Sequence, residues 1–127
     1  MYRASARATP LLFTTFNGVL NALELETGTE RWQHTASGQL RSSALVVADD
    51  DHVFVISDVV AALHHETGQL LWTCPLPFQK IADAIVRDAY LIVSGAGLIC
   101  AIDTARGVEA WRARGNVTLV DPSQSHR

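Results

Sequence analysis

ALHHETGQLLW, residues 62–72, closes on Thr67-Gly68 and reaches Trp72 four residues later. The same phrase returns twice, as ALELETGTERW at 22–32 and AIDTARGVEAW at 101–111. Ala stands first in each (Ala22, Ala62, Ala101), Gly seventh (Gly28, Gly68, Gly107) and Trp eleventh (Trp32, Trp72, Trp111), and these are the three tryptophans of the chain. An internal period of about 40 residues is the mark of a repeat architecture.

The flanks repeat with the phrase. VLNAL, VVAAL and LICAI lead into it, preceded by LLFTTFNG, HVFVISD and YLIVSGAG. Farther upstream, SSALVVADDD in the second unit and IADAIVRDA in the third occupy equivalent places, and ERWQH, LLWTC and VEAWRAR follow the phrase glycine. These are short β-branched runs broken by turn residues, without a sustained 3.6-residue period, so helices are a poor reading. Four short strands in about 40 residues describe a propeller blade. The expectation is an all-β fold, a β-propeller of four-stranded antiparallel blades with three repeats per chain. The blades fall at about 3–37, 38–78 and 79–115, with NVTLV (116–120) as a candidate closing strand and 121–127 a polar tail. Stacked blades cover a middle strand on both faces, which explains apolar runs without alternation. The phrase glycine suits a tight turn that needs positive φ. The Trp can lie flat on the next blade, so Trp-to-Ala there is expected to cost about 3–5 kcal/mol.

Composition narrows the function. The chain has 127 residues, 48% of them hydrophobic, enough for a core. Its net charge is -3 and its basic residues do not cluster, which argues against a nucleic-acid partner. No apolar run approaches the roughly 20 residues of a membrane-spanning helix. The N-terminal stretch MYRASARATPLLF has too short an apolar run for a signal peptide. Localisation stays open on this reading, with the cytoplasm the inclination. Cys74 and Cys100 are neither paired in a C-x-x-C nor part of a disulfide framework, and read as small, partly buried thiols.

The repeated phrase resembles the tryptophan-docking motif of the PQQ-like β-propeller repeat, A-x-D-x-x-T-G-K-x-x-W, over roughly residues 11 to 115. That repeat occurs in quinoprotein dehydrogenases and in non-enzymatic relatives such as the lipoprotein of the outer-membrane barrel assembly machinery. The chain departs from the motif at the third position (Glu24, His64, Asp103), at the sixth (Thr27, Thr67, then Arg106) and at the eighth (Thr29, Gln69, Val108). His64 therefore stands where the family has an acidic turn residue, and His65 at a variable one. The pair reads as structural, since His34, His52 and His126 add no ligand spacing.

The resemblance is specific for the fold, and the favoured reading of function is a non-catalytic propeller for protein binding or assembly. No nucleophile elbow, P-loop or metal cluster is present, so no catalytic, cofactor-binding or metal residues are assigned. The alternatives are a fragment or subunit of a PQQ-dependent quinoprotein dehydrogenase, which would need PQQ and calcium, and a sensor or interaction module of a larger protein. Against the dehydrogenase, the chain lacks the vicinal cysteines many of those enzymes carry and has three blades where they use eight. Three blades leave open apolar faces, so the expected partner is the chain itself, two copies giving six blades, with another protein as a second partner. The first unit lacks an evident innermost strand before Leu11, which the closing strand could supply from a neighbouring copy. Loops at 49–52, 75–80 and 95–97 are candidate binding surfaces. Phe78 in CPLPFQK is read as a loop anchor, with a partner-binding aromatic as the alternative.

Overall fold

The computed structural model describes residues 10–16, 19–35 and 45–115, and these are all β-structure, turns and loops. The first sheet contains β1 (Leu11–Phe16), β2 (Val19–Glu24) and β3 (Glu30–Thr35). The second contains β4 (Leu45–Ala48), β5 (His52–Ile56), β6 (Val59–His64) and β7 (Leu70–Pro75). The third contains β8 (Asp83–Arg87), β9 (Tyr90–Gly95), β10 (Leu98–Asp103) and β11 (Val108–Arg114). Each sheet is antiparallel and joins its strands in chain order, so each is a meander. These are three propeller blades. The expected closing strand at 116–120 and whatever precedes residue 10 lie outside the described residues.

Register repeats as faithfully as sequence. The phrase alanine pairs with the phrase tryptophan in all three blades, Ala22 with Trp32, Ala62 with Trp72 and Ala101 with Trp111. Immediately after it every ladder slips by one residue, at Ala22/Leu23, Ala62/Leu63 and Ala101/Ile102. A bulge at that point sharpens the local twist and re-aims the outer strand. On the other side the alanine faces Phe13, Phe54 or Ile92.

The second blade is sandwiched. Val53, Val55, Ala61 and Leu63 join Leu20, Ala22 and Trp32 in one core, facing the first blade. Phe54, Ile56, Val60 and Ala62 join Leu91, Val93, Cys100 and Ile102 in another, facing the third. Alternate residues of β5 and β6 thus serve opposite seams, and both sets are apolar because both faces are covered. The first strands of the second and third blades, β4 and β8, touch across their seam.

Candidate functional site

The seams are where the phrase acts. Trp32 leaves β3 and lays its indole against the Gly68 turn of the second blade, with only 8% of its surface exposed. Its Nε1 donates to the His65 carbonyl at 3.0 Å. Trp72 repeats this on the Gly107 turn, Nε1 donating to the Thr104 carbonyl at 2.8 Å. His65 and Thr104 are both the fourth residue of their phrase. Phe13 and Phe54 lean on the two indoles at 5.8 Å, tilted by 41° and 43°. A tilted aromatic pair and a satisfied indole N–H fix the approach of one blade on the next.

The glycines have φ of +76° at Gly28, +78° at Gly68 and +74° at Gly107, a region that penalises side chains. Two of them carry a second constraint. A Cβ on Gly68 would lie 2.6 Å from Cδ2 of Trp32 and closer still to Cε3, and one on Gly107 would press into the Trp72 ring. Gly28 has nothing within 4 Å of that position, and Trp111 is 48% exposed. The phrase thus offers a receptor on the first blade and an indole on the third with no mate among the described residues.

The third residue of the phrase anchors its turn. Asp103 Oδ1 accepts the backbone N–H groups of Ala105 and Arg106 at 2.9 and 3.1 Å. His64 does part of the same work, its Nδ1 accepting the Glu66 N–H at 3.1 Å. An accepting Nδ1 requires the neutral tautomer with its proton on Nε2. His65 turns its ring edge to Phe13 at 5.3 Å. His52 stacks on Phe54 at 5.2 Å and its Nδ1 meets Asp49 at 3.0 Å. Asp49 also accepts the N–H groups of Asp51 and His52, so its carboxylate closes the 49–52 turn. Among the described residues no group of three His, Cys, Asp or Glu side chains could hold a metal ion.

Phe78 is not an exposed aromatic. It is 5% exposed, belongs to the core between the second and third blades, and packs beside Gly95. The prolines of CPLPFQK bend the chain across the gap between β7 and β8, which turns Phe78 inward. That burial fits the loop-anchor reading of Phe78.

Residues of and next to β7 and β11 line a groove of ≈ 460 Å³, among them Cys74, Leu76, Val108, Glu109 and Arg112. Arg112 clamps Glu109 with two bonds of 2.7 and 2.8 Å, which holds that carboxyl below the usual range. Burial, helped by the Glu109 carboxylate, pushes the Cys100 thiol up to about 12 and raises Cys74 as well. Both cysteines are free and buried.

A family model described as outer membrane protein assembly factor BamB matches residues 16–126. The chain belongs to that family. Among solved structures it is similar to BamB from Moraxella catarrhalis, with a TM-score of 0.68 and 29% identity over 82% of this chain. It spans 32% of that protein's chain. Quinohemoprotein alcohol dehydrogenase from Comamonas testosteroni superposes with a TM-score of 0.63 at 20% identity, over 82% of this chain and 19% of that one. A second such enzyme, ADHIIG from Pseudomonas putida HK5, gives 0.62 at 20% identity, over 84% of this chain and 19% of its own. These enzymes share the propeller fold at that identity. No protein of curated function matches the chain. What sequence reasoning missed in these blades is the second duty of the glycine, which becomes visible only when the preceding blade's indole lies on it.

Proposed function

We propose that this chain is a non-catalytic propeller scaffold for protein binding and assembly, and that it completes itself by self-association, two copies giving a six-bladed ring. The observation that carries the reading is the state of the two end faces. The first blade presents Leu12 and Leu25, 48% and 58% exposed, and the third presents Trp111. Exposed large apolar side chains at both ends are what an interaction surface would use. Membership in a family described as an assembly factor points the same way. The polar groups that could suggest catalysis are engaged in turns and ion pairs: Asp49, His64 and Asp103 hold backbone N–H groups, and Glu109 holds Arg112. The reading calls on no cofactor.

Light scattering after gel filtration tests it, with the mass of two chains as the expected result. A monomer at every concentration would remove self-association. A dye-linked alcohol assay with added PQQ and Ca²⁺ addresses the enzymatic alternative, and turnover there would overturn the non-catalytic reading.

A further inference from the structure

We infer that Trp111 of one copy docks on the Gly28 turn of a second copy, its indole N–H donating to the Leu25 carbonyl. This rests on the self-association reading and names the contact that would perform it.

The two internal seams supply the template. In each, the eleventh residue of one phrase covers the seventh of the next and its Nε1 bonds the carbonyl of the fourth. Applied a third time, the rule gives Trp111, Gly28 and Leu25. The receptor already has the right shape. Gly28 has the same left-handed φ as Gly68 and Gly107, and the Gly28 N–H bonds the Glu24 carbonyl as the Gly68 N–H bonds that of His64, both at 2.8 Å. Its Cβ position is open to 4 Å, the space that the indole occupies at the other two turns.

The surrounding faces fit the same continuation. Leu12 pairs with Leu23 in the first blade as Val53 pairs with Leu63 and Leu91 with Ile102 in the others. Val53 and Leu63 pack on the preceding blade's core, and so do Leu91 and Ile102. Leu12 and Leu23 are the same register positions, and Leu12 is nearly half exposed. On the giving side Ile92 faces Ala101 next to Trp111, where Phe13 and Phe54 stand beside their alanines. The first seam also has an ion pair, Arg31 to Glu66 at 3.7 Å. The corresponding residues of the second seam are Leu71 and Ala105, so the charge is dispensable there and its absence at Ala110 and Glu26 is no obstacle. The contact is head-to-tail, the kind that closes rings.

The test uses the full chain, its Trp111→Thr and Gly28→Asn variants, and their equimolar mixture, each measured by light scattering over a concentration series. Thr keeps the strand preference of β11 at an exposed site. Asn tolerates the left-handed conformation and puts a side chain where the indole would lie. Circular dichroism and thermal melting of the dilute variants establish that both fold. Each variant alone is expected to weaken association by roughly 30-fold or more, a hot-spot loss. The mixture is expected to recover a heterodimer, because Trp111 of the Gly28→Asn chain can dock on the intact Gly28 of the Trp111→Thr chain. Association of the wild type that neither variant weakens would overturn this contact and leave self-association standing. Loss in both variants without recovery in the mixture would also overturn it, since the interface would not be head-to-tail. A wild-type monomer would remove the underlying reading itself.

Discussion

Gly68→Ala adds one methyl group where backbone and seam both oppose it. The backbone share comes from φ of +78°. A left-handed conformation costs an L-residue about 1–2 kcal/mol, of which about 0.4–1 is returned through the less flexible unfolded chain. The seam share comes from a Cβ placed 2.6 Å from Cδ2 of Trp32, where ordinary contact begins near 3.4 Å. The indole must recede by most of an ångström, which overpacks the seam by about 1–3 kcal/mol. It also stretches the 3.0 Å bond to the His65 carbonyl, worth about 1 kcal/mol. The total is about 3 kcal/mol. Gly97 is the internal control, since its φ is +77° and its Cβ position is empty to 4 Å. Gly97→Ala should therefore show the backbone share alone, about 1 kcal/mol or less. Urea midpoints at one protein concentration and unchanged m-value read the difference. In melting temperature the gap corresponds to roughly 4 °C per kcal/mol. If the two variants agree within about 1 kcal/mol, the indole does not press on the Gly68 turn and the docking geometry is wrong.

Four further outcomes can be checked by denaturation. Trp72→Ala should cost about 3–5 kcal/mol, whereas Trp111→Ala in the monomer should cost under about 1, because only the first empties a seam. His64→Asp should be neutral or mildly stabilising, since Asp103 shows a carboxylate holding two N–H groups in that place, while His64→Ala should lose about 0.5–1 kcal/mol of turn anchoring. Ala96 has φ of +52° in the β9–β10 turn, so Ala96→Asn should gain about 0.5–1 kcal/mol. Cys100 contributes to the alkaline limb: between 9.0 and about 12 the folded thiol keeps a proton that the unfolded chain releases. Its contribution is therefore complete below 9.0 and disappears as pH climbs toward 12, and Cys100→Ala should flatten the fall of the urea midpoint over that window.

The blades were legible because repetition multiplied weak signals. One Ala-Gly-Trp phrase says little, but three in register, each behind apolar runs of strand length, leave few architectures. The phrase glycine was read as a turn residue, which is half of its role. The other half depends on a residue 36 positions upstream in a different blade for Gly68, and 35 for Gly107, and no local pattern announces it. The bulge after each phrase alanine was equally hidden, because the extra residue is Arg31, Leu71 or Ala110 and has no shared chemistry. Phe78 was ambiguous for a different reason. Two prolines and two polar neighbours make CPLPFQK look like surface, and only the path of the chain between β7 and β8 shows that its aromatic side turns toward Gly95. The histidine pair resolved once the turn was seen, since one ring anchors a backbone N–H and the other residue lends its carbonyl to an indole.

Each ladder among the described residues joins strands that are consecutive in sequence, and the seams between them are crossed by side chains. A blade therefore carries its own backbone hydrogen bonds with it wherever it goes. Copying or excising one whole unit in frame would sever none of these ladders and would create one junction of the same Trp-on-Gly chemistry. The unit of inheritance that such a gene can gain or lose without unlearning its fold is the blade.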